Sequence, residues 1–154
     1  SYSDNNAAAL LNSNINPNRI LETFGSLGMG LPNFNEPYPV NTKVYAGFFR
    51  VLYNASYLTK KSSEQALTIL THARFNKGIA KPIPDNIDIA HKFGIRGDLT
   101  SADKQLHDCG IIYHPKNPYL LCVMTQGNDY DKMAEAIQEV SSFVYGEVLT
   151  NNKR

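Results

Sequence analysis

The sequence has few of the features that mark metal-binding, nucleic-acid-binding or membrane proteins. Its 154 residues include only two cysteines, Cys109 and Cys122, which lack the Cys-x-x-Cys spacing of a zinc site, and His91 and His107 have no metal-ligand spacing either. The formal net charge is +1 and the basic residues are scattered, which argues against nucleic acid as a partner. No apolar run approaches the length that crosses a bilayer. We therefore expect no metal, no cofactor, no nucleic-acid partner and no membrane span.

The two cysteines fall on neighbouring predicted strands. A short turn joins these strands, so Cys109 and Cys122 could face each other across a hairpin, but adjacency alone does not establish a bond. Free cysteine is among the residue types most often found buried. We therefore expect two buried free thiols, which leaves the redox compartment open.

Hydrophobic periodicity divides the chain into a helical part and a part with strands. Apolar residues at helical spacing behind polar caps predict helices over 4–11, 17–27, 42–53 and from a cap at Ser62 or Ser63 to Ala73. Alternation predicts an antiparallel meander of strands over 87–92, 109–113 and 119–125, with a polar connection over 96–105, before a last helix over 129–149. We predict one α+β domain over 1–154, with a helical subdomain over 1–78 and the strands plus C-terminal helix over 87–149.

Two short motifs carry polar groups suited to acid–base chemistry. Ser3-Asp4-Asn5 precedes a predicted helix, and Lys92-Phe93-Gly94 lies on a predicted strand. A serine hydroxyl alone does not move protons at neutral pH, but a lysine beside it stabilises developing negative charge. The same motifs also have a purely structural interpretation, as a helix cap and a solvated strand lysine.

The chain resembles the C-terminal part of class A β-lactamases and related penicillin-binding serine hydrolases. The resemblance lies in Tyr-Ser-Asp-Asn-Asn-Ala-Ala over 2–8, in Ile-Ala-His-Lys-Phe-Gly over 89–94, and in residues 107–113 and 118–125 ahead of a long helix. It implies the β-lactamase/transpeptidase-like fold, in which a helical subdomain packs against an antiparallel sheet and the active site lies between them. It also implies an extracytoplasmic location, in the periplasm or at the cell surface.

The resemblance implies a role for each matched residue. Ser3 would relay a proton to the leaving nitrogen, and Lys92 would supply positive charge to the substrate carboxylate and to Ser3. Asn5 would hold the substrate's amide side chain. Phe93 and Gly94 would lie on the strand that binds the substrate, a small β-lactam or a cell-wall peptide.

The chain departs from the family pattern in its nucleophile segment. The family's Ser-x-x-Lys helix and first strands belong N-terminal to Ser3, so we expect the chain alone to be inactive and the missing N-terminal segment to be a partner. Ser101-Ala-Asp-Lys104 spells the motif but follows the Lys-x-Gly strand. We interpret it as a chance match, because so short a pattern is common.

Two further departures concern substrate binding and turnover. Phe93 replaces the usual Thr or Ser and removes a hydroxyl that helps bind the β-lactam carboxylate. The connection over 28–40 is short for the family's omega loop, and Glu36, its one carboxylate, is the candidate for deacylation. If Glu36 does not position a water, the acyl-enzyme should turn over slowly.

Three functions remain open. The leading prediction is a serine hydrolase that hydrolyses β-lactam amides through a covalent acyl-enzyme. The nearest alternative is a D-alanyl-D-alanine carboxypeptidase-like penicillin-binding enzyme, which the short connection favours. The third is a non-catalytic binding module with the same fold, since Phe93 and the absent Ser-x-x-Lys weaken the case for chemistry and fold alone does not establish it.

Overall fold

The computed structural model describes residues 2–31, 39–97, 100 and 102–151. The described part contains five helices and three strands. In chain order they are α1 (Asn5–Asn14), α2 (Pro17–Ser26), α3 (Thr42–Tyr53), α4 (Lys60–Thr71), β1 (Ile89–Arg96), β2 (Lys104–Ile112), β3 (Tyr119–Gly127) and α5 (Tyr130–Asn151). The predicted α+β class, with four helices, an antiparallel meander and a final helix, is confirmed, whereas the subdomain limits at 78 and 87 stay predictions.

The three strands form one antiparallel sheet in the order β1-β2-β3. Ile89 pairs with Ile112 and Arg96 with Gln105 in the first hairpin. Both strands of that hairpin are longer than predicted, because β1 runs past Lys92 to Arg96 and β2 begins at Lys104. The polar residues at this end of the hairpin led us to predict a connection. Backbone pairing, however, does not require apolar side chains where the hairpin reaches solvent.

Helices cover both faces of the sheet. Successive strand residues point to opposite faces, so Ile112 and Leu106 pack towards α5 while Ile111 and Ala90 pack towards α3 and α4. The cluster on the α5 side comprises Ile79, Ile83, Leu106, Ile112, Met133, Ala134 and Ile137. The cluster on the other side comprises Phe49, Leu67, Ala90, Cys109 and Ile111. The sheet therefore lies between two apolar layers.

Side-chain caps decide where the helices begin, and several predicted helix limits differ from the observed ones, most clearly the start of α4 and the end of α1. Helix α4 begins at Lys60 with Thr59 as its cap, because the Thr59 Oγ1 accepts the Ser62 amide at 3.2 Å; neither Ser62 nor Ser63 is the cap. Helix α1 continues to Asn14, beyond the predicted end at Leu11. The Ser13 and Asn14 side chains donate to the Leu10 carbonyl, so these polar residues bond within the helix.

Cys109 and Cys122 form a disulfide, so the expectation of two free thiols was wrong. The two residues are directly opposite in the register of β2 and β3, with their Cα atoms 4.0 Å apart. Cys109 is fully buried, as predicted, whereas Cys122 is only partly buried. A shift of one residue in register would have turned one side chain to the other face of the sheet, and the sequence does not specify register to that accuracy.

None of the described helices combines the length and apolar character that a membrane span requires.

Candidate active site

The two residues predicted to be catalytic lie in direct contact. Lys92 is on β1, the edge strand of the described sheet, and its Nζ donates a hydrogen bond to the Ser3 Oγ at 2.7 Å. The same ammonium donates to the carbonyl of Phe93. These contacts bring together residues 89 positions apart in the sequence.

Ser3 occupies a tight turn at the entrance of α1. Its φ is +56°, in the left-handed region that non-glycine residues rarely adopt. Asp4 follows as the helix cap, and its carboxylate accepts the amides of Asn6 at 2.8 Å and Ala7 at 3.3 Å. The cap therefore fixes the helix start immediately after Ser3, and the unusual backbone conformation accompanies the contact with Lys92.

Asn5 is the first residue of α1 and is exposed. Its side chain makes no hydrogen bond within the described part of the chain. The predicted contact between Asn5 and substrate therefore stays a prediction.

The Lys92 ammonium lies in a partly apolar environment. Burial lowers the pKa of Lys92 from its usual value, and the negative charge of Asp108 acts in the opposite direction. The Phe93 ring lies 4.7 Å from the Nζ, measured to the ring centroid. A partly desolvated ammonium beside a hydroxyl is the kind of perturbed group that acid–base chemistry uses.

Phe93 presents an aromatic face where the family pattern has a hydroxyl. Its ring stacks on Phe75, with centroids 4.3 Å apart and planes 16° from parallel. A phenyl ring offers no hydrogen-bond donor to a carboxylate. The cation of Lys92 is therefore the polar group that this strand contributes next to Ser3.

Gly94 lines a cavity of about 530 Å³ between the sheet and the start of α3. Tyr45, Arg96, His107 and Met124 also line it. A Cβ at Gly94 would lie 3.8 Å from the His107 ring, an ordinary contact, so space alone does not require glycine here. The cavity adjoins the Lys92 site because Tyr45 belongs to both.

Tyr45 supports the backbone of Lys92, a role that sequence reasoning missed. Its hydroxyl donates to the Lys92 carbonyl at 3.0 Å. Burial first, and the charge of Asp108 second, raise the pKa of Tyr45 to about 12, so the hydroxyl keeps its proton. The sequence placed Tyr45 in an apolar helical stripe; the one available signal was that a buried tyrosine hydroxyl needs a partner.

His107 lies in the wall of the same cavity. Burial lowers its pKa, against a smaller opposing effect of the Leu106 backbone. Its Nδ1 is buried and has no hydrogen-bond partner. His107 lies on β2, before the predicted strand start at Cys109. Among the described residues there is no group of three or more His, Cys, Asp or Glu side chains that could hold a metal ion.

A buried pair that the sequence did not predict lies behind Lys92. The His91 Nδ1 is 2.9 Å and 3.2 Å from the two carboxylate oxygens of Asp108, and the Ile79 amide donates to the same carboxylate at 3.0 Å. Asp108 is 0% exposed and His91 is 3% exposed. The pairing depends on the register of β1 against β2, which the motifs do not reveal.

Two residues considered in the sequence analysis cannot be placed in the site. Glu36, the predicted deacylation residue, and Ser101 lie outside the described residues. Lys104, the lysine of the chance motif, donates to the Asn128 carbonyl at 2.9 Å. Its ammonium is therefore already occupied by the backbone at the end of β3.

Comparisons with known proteins identify the fold. No curated protein sequence matches this chain, but solved structures do. A β-lactamase from Chitinophaga pinensis is 18% identical with a TM-score of 0.78, and the match covers 95% of this chain and 61% of that one. A β-lactamase from Sphaerobacter thermophilus is 23% identical with a TM-score of 0.71, covering 90% and 56%.

A third similar structure is a PBP-A variant described as an acyl-enzyme complex with penicillin G. It is 20% identical with a TM-score of 0.66, and the match covers 84% of this chain and 50% of that one. At such identities the likeness shows the fold alone, here the predicted β-lactamase/transpeptidase-like fold. The chain spans between half and about three-fifths of the length of these structures.

The family itself is shown by the sequence. A sequence model of the β-lactamase enzyme family matches residues 1–148, which includes both motifs and all the elements between them. This confirms the resemblance inferred from Ser3-Asp4-Asn5 and Lys92-Phe93-Gly94. The chain belongs to the β-lactamase enzyme family.

Proposed function

We propose that this chain provides the proton relay and part of the substrate site of a serine hydrolase that cleaves β-lactam amides through a covalent acyl-enzyme. The hydrogen bond from the Lys92 Nζ to the Ser3 Oγ, at 2.7 Å, carries the proposal. Because the ammonium is the donor, the Ser3 hydroxyl proton is free to be passed to another atom. The positive charge then stabilises the negative charge that develops on the Ser3 oxygen.

The proposed reaction divides the work between a nucleophile and this relay. A nucleophilic serine hydroxyl, which neither motif includes, forms an ester with the lactam carbonyl carbon while the C–N bond breaks. The leaving nitrogen takes the proton of the Ser3 hydroxyl. The proton lost by the nucleophile replaces it, so that Ser3 ends the step unchanged.

Substrate choice should reflect the ring of Phe93. Asn5 and Gly94 are the proposed contacts to the amide side of the substrate, and Lys92 is the proposed contact to its carboxylate. Since Phe93 stacks on Phe75 and donates no hydrogen bond, Lys92 is the group of the Lys92-Phe93-Gly94 motif that we propose binds the carboxylate. We expect weaker binding of penicillins than a Thr or Ser at this position would give.

An extracytoplasmic location, in the periplasm or at the cell surface, is also part of the proposal. The Cys109–Cys122 disulfide supports it, because disulfides persist in oxidising compartments and are rare in the cytosol. Antibiotic resistance or cell-wall metabolism would be the corresponding physiological roles.

Intact mass spectrometry with and without excess benzylpenicillin tests the proposal. We expect a form of the protein that contains both the Ser3–Lys92 pair and the nucleophile to gain the mass of one penicillin. Ser3→Ala and Lys92→Ala should slow this gain by about 100-fold or more. Lys81→Ala, which removes an exposed lysine away from the site, is the matched control. No adduct in such a form, or an unchanged rate in Lys92→Ala, would contradict the proposal.

A carboxypeptidase-like penicillin-binding enzyme is the second candidate. The observation that favours it is the short 28–40 connection, in which Glu36 is the one carboxylate. The two enzymes differ in the lifetime of the adduct: a β-lactamase should lose the added mass quickly, whereas a penicillin-binding enzyme should keep it for hours. β-Lactam binding without any mass gain would favour the non-catalytic binding module.

A further inference from the structure

Asp108 is the most completely enclosed charged side chain near the candidate site. It lies on β2 opposite Phe93 of β1 and is 0% exposed. Its carboxylate contacts the His91 ring on one side and the Ile79 amide on the other. A buried carboxylate is costly unless hydrogen bonds satisfy it, and these contacts satisfy it from two separate segments.

Those two segments are the ones that determine where Lys92 lies. His91 is its neighbour on β1, and Ile79 belongs to the connection that leads from α4 to that strand. The connection comes so close that a Cβ at Gly78 would be 2.0 Å from the Asp108 Oδ2. The carboxylate therefore joins the connection, β1 and β2 at one point behind the lysine.

The charge of Asp108 also reaches the groups on the other face of β1. It raises the pKa of Lys92 against the larger lowering by burial, and it adds to the burial that raises the pKa of Tyr45. The other titratable groups near Lys92 are His91 on the same strand, His107 on β2 and Asp4 beside Ser3 on α1. Asp4 and His91 are engaged in bonds of their own, and burial lowers the pKa of His107.

We propose that Asp108 is a positioning residue for the Lys92–Ser3 pair: held between His91 and the Ile79 amide, its carboxylate fixes the strand that carries Lys92 and places a buried acidic group behind it. The inference rests on the proposed function for the role of that pair. Asp108 touches no reacting atom and acts through Lys92, since a negative charge near an ammonium favours its protonated form.

The test is the titration of the Lys92 side chain by NMR in lysine-labelled chain, with its signal assigned by its loss in Lys92→Arg. Asp108→Asn keeps the shape and can still accept the Ile79 amide, but it removes the charge. We expect the pKa of Lys92 to fall below its wild-type value in Asp108→Asn. Asp85→Asn removes an exposed carboxylate from a turn and should leave the pKa of Lys92 unchanged. An unchanged Lys92 pKa in folded Asp108→Asn, or equal shifts in the two variants, would overturn the proposal.

A measurement on the unmodified chain covers the case in which Asp108→Asn fails to fold. The carboxyl carbon shift of Asp108 should change with pH at the midpoint of the Lys92 titration, because the two charges interact. An Asp108 signal without any step at that midpoint would also overturn the proposal. Neither readout needs substrate, so the failure of acylation by penicillin and the failure of this inference are separate results.

Discussion

Helices α1 and α2 differ sharply from the sheet and the helices that cover it. Every buried residue of the described part lies between Phe49 and Ser141, while α1 and α2 contain none. Leu10 and Leu11 are 66% and 64% exposed, although both are large apolar residues. The sheet region is held by tertiary packing, whereas α1 and α2 rest mainly on their own caps and backbone hydrogen bonds.

The candidate site joins these two regions. Lys92 is held by the packed region through its strand, Tyr45 and Phe93, whereas Ser3 precedes a helix with no buried residue. Arg74 lies 4.3 Å from the Tyr2 ring centroid and adds a second contact at the same place. The comparison teaches that the cation of the relay is fixed by the core, and that the position of the serine depends on a few polar and cation–π contacts.

The largest expected effect comes from truncating one apolar side chain in each region. Ile137 is 0% exposed in the α5 cluster, and Ile137→Ala should lower the free energy of unfolding by about 2–5 kcal/mol through lost burial and a cavity. Leu11→Ala removes similar apolar volume from an exposed position and should change the free energy of unfolding by no more than about 0.5 kcal/mol. Urea denaturation measures both. Comparable losses in the two variants would mean that α1 is packed as firmly as α5.

Replacing a glycine with alanine should have opposite effects on stability in the two regions. A Cβ at Gly78 meets the Asp108 carboxylate and the Phe75 ring, so Gly78→Ala should destabilise the chain by about 1–3 kcal/mol through overpacking. Gly25 in α2 has no heavy atom within 4 Å of its Cβ position, and Gly25→Ala should favour the helix by about 0.5–1 kcal/mol. Thermal unfolding of both variants checks this. A stabilising Gly78→Ala would show that the connection can move away from Asp108.

The sequence predicted features that short local motifs determine, but not those that depend on long-range packing. Ser3, Asp4 and Lys92 stand in short motifs that carry the family resemblance, so the resemblance implied their grouping before any pairing was known. The partners of Asp108, Tyr45 and Cys122 come from register and from helix-to-strand packing, which the sequence fixes only through many weak preferences. The ends of β1 and β2 were missed for a related reason, since the hairpin continues through Arg96 and Gln105 by backbone pairing alone.

The smallest expected effect compares two tyrosine hydroxyls, one that bonds to β1 of the packed region and one that bonds to α2. Tyr45 donates to the Lys92 carbonyl in a partly buried place, and Tyr45→Phe should lower the free energy of unfolding by about 0.5–1.5 kcal/mol at pH 8. Tyr57 donates to the Thr23 Oγ1 of α2 at an exposed position, at 3.3 Å, and Tyr57→Phe should have almost no effect because solvent replaces that bond.

The contribution of Tyr45 to folding stability should depend on pH. Because its pKa is raised from 10.0 to about 12 in the folded chain, this contribution is complete below pH 10 and is lost as the pH rises towards 12. The difference in stability between wild type and Tyr45→Phe should therefore shrink over that window. A difference that stays constant from pH 8 to pH 12 would mean that Tyr45 titrates as an exposed phenol. It would then belong with the loosely held side of the site, beside Ser3, and not with the core that holds Lys92.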